Sequence, residues 1–251
     1  MQKFKTIKLN EDGSITILIF NRDKLNFLNS QMLHEFYIAI KLIRKKIENK
    51  TIRGLIVTGN SNGFVPGLDL KEYLSKGNSQ LKHYLEMLDE GRKAMRILEK
   101  LSVPTVAAVN RFAIGGGLEI ALACDFIFAD RDAQFGFPEV TLGLIPGAGG
   151  TILLKERVGL AKSKEIIFSG KLLNCTDAKK YGLVDVIVKP TQLVKQAKVF
   201  LNIILNNAQI PINYAKKSIR MNSYQKEKTL FNQLINSKNT QSLIEAYFQS
   251  E

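Results

Sequence analysis

The chain has 251 residues, 45% hydrophobic and 24% charged, with a formal net charge of +13. That is enough chain for a large buried core, and it contains no run of about 18 apolar residues of the kind a spanning helix needs. Two cysteines, Cys124 and Cys175, are too few for a disulfide framework, and neither has a second Cys or a His at metal-ligand spacing. We therefore expect reduced thiols and no metal. The N-terminal MQKFKTIKLNEDG lacks the apolar centre of a secretion signal, which points to a cytoplasmic or organellar protein, taken here as cytoplasmic.

In chain order, SITILIF (14–20) reads as a strand buried on both faces, because its apolar residues run on rather than alternate. Ser30 to about Asn49 places Leu33, Phe36, Ile40, Ile43 and Ile47 on one helical face, with Asn29 or Ser30 as N-cap. RGLIVTG (53–59) is a second strand. Gln80 to about Leu101 is a second amphipathic helix, turning Leu81, Leu85, Leu88, Met95 and Leu98 inward. Pro104 marks the next strand, VPTVAAV (103–109), and DFIFAD (125–130) follows. Asn174–Tyr181 is a short helix, capped by Asn174 or Thr176 and stopped by Gly182, ahead of the strand LVDVIV (183–188). Strands alternating with helices argue an α/β fold. After Pro190 only helical patterns remain, broken at Asn206–Pro211 and near Asn222–Ser223. This divides the chain into an α/β core, 1–190, and a helical region, 191–251.

The positive charge favours an anionic partner but is diffuse. Its densest cluster, KLIRKKIENK (41–50) followed by Arg53, puts Lys41, Arg44, Lys45 and Lys46 within two turns of a helix. This reads first as a solvated helix face. RNA or polyanion binding is kept as the non-enzymatic alternative. His34 and His83 lie in helical patterns and read as surface residues.

Three glycine-containing turns stand out: GFVPGLDL (63–70), AIGGGLEIAL (113–122) and FPEVTLGLIPGAGGT (137–151). Such turns let a ligand reach the backbone and leave N–H groups free as oxyanion donors, although glycines at strand-to-helix turns often serve conformation alone. None is a nucleotide fingerprint: GAGGTI lacks the third glycine of G-x-G-x-x-G, and no G-K-[ST] follows. Glu119 falls in the first turn of a helix opened by Gly115–Gly117, where a carboxylate suits the helix dipole. Its neighbours are all apolar, so it is expected to be buried with a raised pKa. Pro138 suits the first position of another short helix and Glu139 the second. On residues alone, a paired catalytic role and a capping role both stand.

These stretches together resemble the crotonase superfamily, the enoyl-CoA hydratase/isomerase family. FVPGLDL is similar to its F-x-A-G-x-D-L segment, and VPTVAAVNRFAIGGGLEIALACDFIFAD to its segment around G-G-G-x-E-L-A. AQFGFPEVTLGLIPGAGGT nearly matches the family signature, and NRDKLNFLN (21–29) resembles its CoA-contacting loop. The likeness covers about residues 5–190. It implies a crotonase-like spiral of strand-strand-helix units with a C-terminal helical oligomerisation region. It further implies a homotrimer or dimer of trimers, in which Leu193, Val199, Leu234, Ile235, Leu243 and Phe248 are buried between subunits unless they dock on their own domain. The implied partner is an acyl-CoA thioester. Coenzyme A is part of the substrate, so no separate cofactor is expected, and neither a membrane nor a nucleic acid.

By the same resemblance, the oxyanion hole maps to the N–H groups of Leu68 and Gly116, and the two hydratase glutamates map to Glu119 and Glu139. Gly147 matches a backbone position that orients water and carboxylate. Lys24, Leu25, Phe64, Gly67, Asp69 and Leu70 match CoA-binding segments. The implied activity is addition of water across the Cα=Cβ bond of a 2-enoyl-CoA, with Glu119 activating the water and Glu139 protonating Cα. The runner-up is a 3,2-enoyl-CoA isomerase using Glu139 alone, or another acyl-CoA enzyme of the family. The chain departs from the family pattern at Pro66, usually Ala, and at Arg111, usually Gly, which reshapes its turn or stays at the surface. It also departs at Phe137, usually polar, which is expected to narrow or dry the acyl pocket. The terminal EAYFQSE lacks the family's frequent basic stretch, a loss that Lys24 and the general positive charge would offset.

Overall fold

A computed structural model describes residues 3–22, 25–75 and 78–249, with backbone alone over 78–81. Strands β1 (Ile7–Asp12) and β2 (Ile15–Phe20) form a hairpin, and α1 (Ser30–Glu48) leads to β3 (Gly54–Gly59). Helices α2 (Leu70–Ser75) and α3 (Asn78–Glu99) precede β4 (Thr105–Val109), β5 (Phe112–Ile114) and α4 (Gly116–Leu122). Next come β6 (Phe126–Asp130), β7 (Gln134–Gly136), a 3-10 helix (Pro138–Leu142) and α5 (Gly150–Ser169). β8 (Leu173–Asn174), α6 (Cys175–Lys180) and β9 (Val186–Val188) complete the α/β part. A six-stranded sheet has the order β1-β2-β3-β4-β6-β9, parallel except for the β1–β2 pair at its edge, and β5-β7-β8 form a second sheet. From β4 onward, β4-β5-α4 and β6-β7-α5 each lay one strand in the large sheet, one in the small sheet, then a helix, and β8 and β9 add one strand to each sheet with α6 between them. This is the expected strand-strand-helix spiral.

The continuous apolar runs follow from burial on both faces. In β3 and β4, alternate residues enter different cores. Leu55, Val57, Ala107 and Val109 pack beneath α1 and α4, while Ile56, Val106 and Ala108 face the opposite side. That opposite side is covered by α7 (Leu193–Leu205) through Leu193, Ala197, Leu201 and Leu205. Its three leucines contribute about 5–9 kcal/mol of burial as an upper estimate. The first helix of the C-terminal region is therefore a layer over the main sheet.

Asn29 caps α1: its side chain accepts from the Met32 N–H at 2.9 Å, and the five expected inward residues are buried. The inward face of α3 differs from expectation. Leu85 is 49% exposed and Tyr84 is buried in its place, while the Leu81 side chain lies outside the described residues. The helix crosses α1 closely at Gly91, where a Cβ would stand 2.6 Å from Leu33 Cδ2. Arg111 adopts the left-handed φ of +61° that a glycine would take more readily, and its N–H donates to Asp130 at 3.1 Å. It is exposed, and the turn is kept.

Beyond α7 run α8 (Gln209–Met221), α9 (Tyr224–Ile235) and α10 (Lys238–Gln249). Pro211 does not break α8, because it falls in the first turn, where its missing N–H has no helical acceptor to lose. Asn222 ends that helix in the left-handed conformation, as the sequence suggested. Lys216 ties α8 to the core, donating to Asp125 Oδ2 at 2.6 Å and to the Val103 carbonyl at 2.9 Å. Outside these anchors, Val199, Ile219, Phe231, Leu243 and Phe248 expose much of their surface. No helix among the described residues is long and apolar enough to cross a membrane.

Candidate active site

The site is built where the three glycine-containing turns meet. Gly115, at φ +53°, turns the chain from β5 into α4. A Cβ there would approach within 3.9 Å of Gly67 Cα and 2.8 Å of Glu139 Oε1. Gly67, at φ +111°, is thus packed against the start of α4. The segment after it is pinned by a bridge between Leu28 and Leu68, with Leu28 N–H to Gly67 O at 2.8 Å and Asp69 N–H to Leu28 O at 3.0 Å. The N–H groups of Leu68 and Gly116 have no acceptor among the described residues. For Gly116 the reason is elementary, since a first-turn N–H has no carbonyl one turn back. Both residues line one cavity of about 330 Å³, together with Glu119 and Glu139. Pro66 also lines it, and the Leu68 donor is unaffected.

Glu119 is 4% exposed. Its Oε1 accepts the Ala148 N–H at 2.6 Å and the Gly150 N–H at 2.9 Å, where α5 begins. Its other oxygen lies on the cavity side, 4.0 Å from where a Gly116 Cβ would be. Burial raises its pKa, while the two amides and the Arg92 charge pull the other way. Glu139 is half-buried at the second position of the 3-10 helix, as the sequence indicates. Its Oε2 is buried without a hydrogen-bond partner. Burial pushes the Glu139 carboxyl up to about 7, and the Glu119 charge adds to that rise. The pair is therefore asymmetric in its contacts: burial raises both carboxyls, but Glu119 has two amide donors to offset it while Glu139 Oε2 has none, and Glu139 is near half-protonation at neutral pH.

Several expected residues are placed differently. Phe64 is fully buried and meets the Phe20 ring edge-on at 5.9 Å, so it supports the loop from below and does not line the cavity. Asp69 faces Arg22, 2.7 Å away, and accepts from the Glu72 N–H at the start of α2. It anchors the 22–28 loop and does not line the cavity. Leu25 is half-buried away from the cavity, and Lys24 lies outside the described residues. Gly67, Leu70 and Gly147 do line it. Gly147 does not itself hold the carboxylate, because the donors are Ala148 and Gly150; its carbonyl instead accepts from Arg92 at 2.9 Å. Phe137 does not enter the pocket. It is fully buried against Gly150, whose Cβ would meet its ring at 2.7 Å.

Sequence reasoning missed Arg92, whose cavity-lining position follows from a contact 55 residues distant. It also missed the cavity's apolar wall from α1 and α3, formed by Leu33, Leu88 and Met95. These three were read only as core, since helical periodicity cannot separate a core face from a pocket wall. The basic residues Lys41, Arg44 and Lys45 of α1 are exposed, as a solvated face requires, and His34 and His83 are surface residues.

Residues 10–249 match the family model described as enoyl-CoA hydratase/isomerase. The chain belongs to that family. It is 36% identical over 219 residues to the short-chain-enoyl-CoA hydratase of Clostridium acetobutylicum, covering 86% of this chain and 82% of that protein. To the crotonyl-CoA hydratase of Syntrophomonas wolfei it is 33% identical, covering 85% of this chain and 80% of the relative. Among solved structures, the enoyl-CoA hydratase from Bacillus anthracis superposes with a TM-score of 0.89 at 31% identity, over 98% of this chain and 97% of that one. The fold is the crotonase fold, and Leu68, Gly116, Glu119 and Glu139, the residues that the motif resemblance singled out, all line the cavity described above.

Proposed function

We propose that the protein is an enoyl-CoA hydratase for short 2-enoyl-CoA thioesters. The observation that carries this reading is the carboxylate pair of opposite character, Glu119 on two amides and Glu139 with an unpartnered oxygen, over the glycine turn that frees the Gly116 N–H. The thioester oxygen sits against the N–H groups of Leu68 and Gly116. Enolate charge develops there as water attacks Cβ, and each donor contributes roughly 3–4 kcal/mol to the transition state. Glu119, ionised, takes the proton from water; Glu139, protonated, delivers one to Cα. The product is the 3-hydroxyacyl thioester, and the two carboxyls have exchanged protonation states. An isomerase needs only one carboxylate, and two retained in matched positions favour hydration.

The short substrate is inferred from the names of the two curated relatives, and the apolar wall of Leu33, Leu88 and Met95 is compatible with an acyl chain there. Gly67 and Leu70, which line the cavity, would contact the pantetheine arm, and no separate cofactor is required. The exposed apolar side chains of α7 to α10 suit burial between copies of the chain, as a trimer or dimer of trimers. Free, buried Cys124 and Cys175 fit a reducing compartment such as the cytoplasm. The test is a series of enoyl-CoA thioesters of increasing length. Crotonyl-CoA should give the highest kcat/KM, with hydration as the product-forming step. Double-bond migration without hydration would replace this reading with the isomerase.

A further inference from the structure

The loop that holds Glu119 is itself weakly held. Between Leu144 and the start of α5 the chain reads LIPGAGG, and Gly149 adopts φ +121°. Ile145 is 70% exposed. Among the described residues, the segment 145–148 makes two hydrogen bonds to the rest of the protein. One is the Ala148 N–H to Glu119. The other is Arg92 Nε to the Gly147 carbonyl at 2.9 Å. Arg92 is in turn braced by Asp89 one turn earlier on α3, at 2.5 Å. The turn of α3 that carries it is locked against α1, because Gly91 packs directly on Leu33. A rigid helix pair therefore reaches across the cavity mouth, through one guanidinium, to the residue immediately before an amide that aims Glu119.

We infer that Arg92 is a positioning residue for Glu119: it clamps the 145–149 loop so that the Ala148 and Gly150 amides fix one carboxylate oxygen and leave the other toward the cavity. The inference rests on the hydratase reading for the role of Glu119, not for the geometry. Arg92 also acts through its charge. The charged groups facing Glu119 are Glu139 from the 3-10 helix and Arg92 from α3, with Asp89 paired to Arg92 behind it; α5 presents its N-terminal amides, and Leu28 and Leu68 face from the other walls. The Arg92 side chain is 44% exposed, so water and salt screen its field and the clamp is the larger effect.

The experiment compares wild type with Arg92→Met and Arg92→Lys. Arg92→Met should lower kcat for crotonyl-CoA by about 10²-fold, the scale of a loosened catalytic group. KM should stay within about twofold, because the thioester contacts remain. Arg92→Lys, a cationic donor without the fork, should recover part of kcat. Affinity for butyryl-CoA, which cannot be hydrated, and the melting temperature should be unchanged. The acid limb of the kcat profile should move to higher pH in Arg92→Met, because Glu119 must be ionised and has lost a cation that favours ionisation. The Glu119 titration, read by carboxylate carbon NMR and assigned with Glu119→Gln, should move the same way whether or not the thioester tested is turned over. Wild-type kcat with an unmoved Glu119 titration in Arg92→Met would overturn the inference. So would a fall in kcat matched by an equal fall in butyryl-CoA affinity. If wild type itself fails to hydrate any enoyl thioester, the hydratase reading fails separately, and the NMR titration still decides the placement of Arg92.

Discussion

Replacing Glu139 with Gln should cost activity and add stability. The side chain keeps its size and its place over Gly115, so the fold is not disturbed. The native carboxyl rises from 4.5 to about 7 because burial disfavours its charge. That shift corresponds to at most about 3 kcal/mol against folding when the group is ionised. Glu139 is only half-buried, so solvent reduces the figure to about 1–2 kcal/mol. A carboxyl with a raised folded pKa imposes no penalty below its unfolded pKa; the penalty grows between 4.5 and about 7 and is complete above it. Gln carries no such penalty. At pH 8 the variant should melt about 2–8 °C higher than wild type, and at pH 4 the two should coincide at equal protein concentration. Turnover of crotonyl-CoA should fall by about 10²–10⁴-fold, the range for removing a general acid. Paired scanning calorimetry and initial rates measure both. Wild-type turnover would refute the acid role, and equal melting at pH 8 would refute the buried-charge reasoning.

Other perturbations probe the surroundings. Gly115→Ala places a Cβ 2.8 Å from Glu139 Oε1 at a positive φ, and steady-state rates should show kcat down by about 10²-fold with the thioester still bound. Lys216→Met removes the partner of Asp125 where α8 meets the core. Chemical denaturation should show a loss of about 1–3 kcal/mol with kcat unchanged at low temperature, and an unchanged midpoint would mean that the pair does not anchor the C-terminal helices.

The parts legible in the sequence were those written as long, uniform patterns. β2, β3, β4 and β6 carry continuous apolar residues because helices cover both sheet faces. α1 announces itself through Asn29 and its apolar stripe. β5, β7 and β8 are two or three residues long, too short for any period, and arise only because the spiral brings them together. β1 was missed because it is an edge strand, mostly exposed. Glu119, Glu139, Leu68 and Gly116 were found through motif resemblance, and each lines the cavity. Phe64 and Asp69 sit inside the same motifs but turn away: Phe64 packs into the core against Phe20, and Arg22 captures Asp69. Arg92 was invisible because an arginine on an amphipathic helix looks like any solvated residue until its distant partner, the Gly147 carbonyl, is in place.

The central claim is that Glu119, fixed by the Ala148 and Gly150 amides, activates water against an enoyl thioester held on the Leu68 and Gly116 N–H groups. The most direct measurement follows the loss of the conjugated thioester absorbance of crotonyl-CoA with wild type and Glu119→Gln, alongside butyryl-CoA affinity for each. The account predicts hydration by wild type, a fall of about 10²–10⁴-fold in Glu119→Gln and equal affinities. Hydration by Glu119→Gln at the wild-type rate would contradict it.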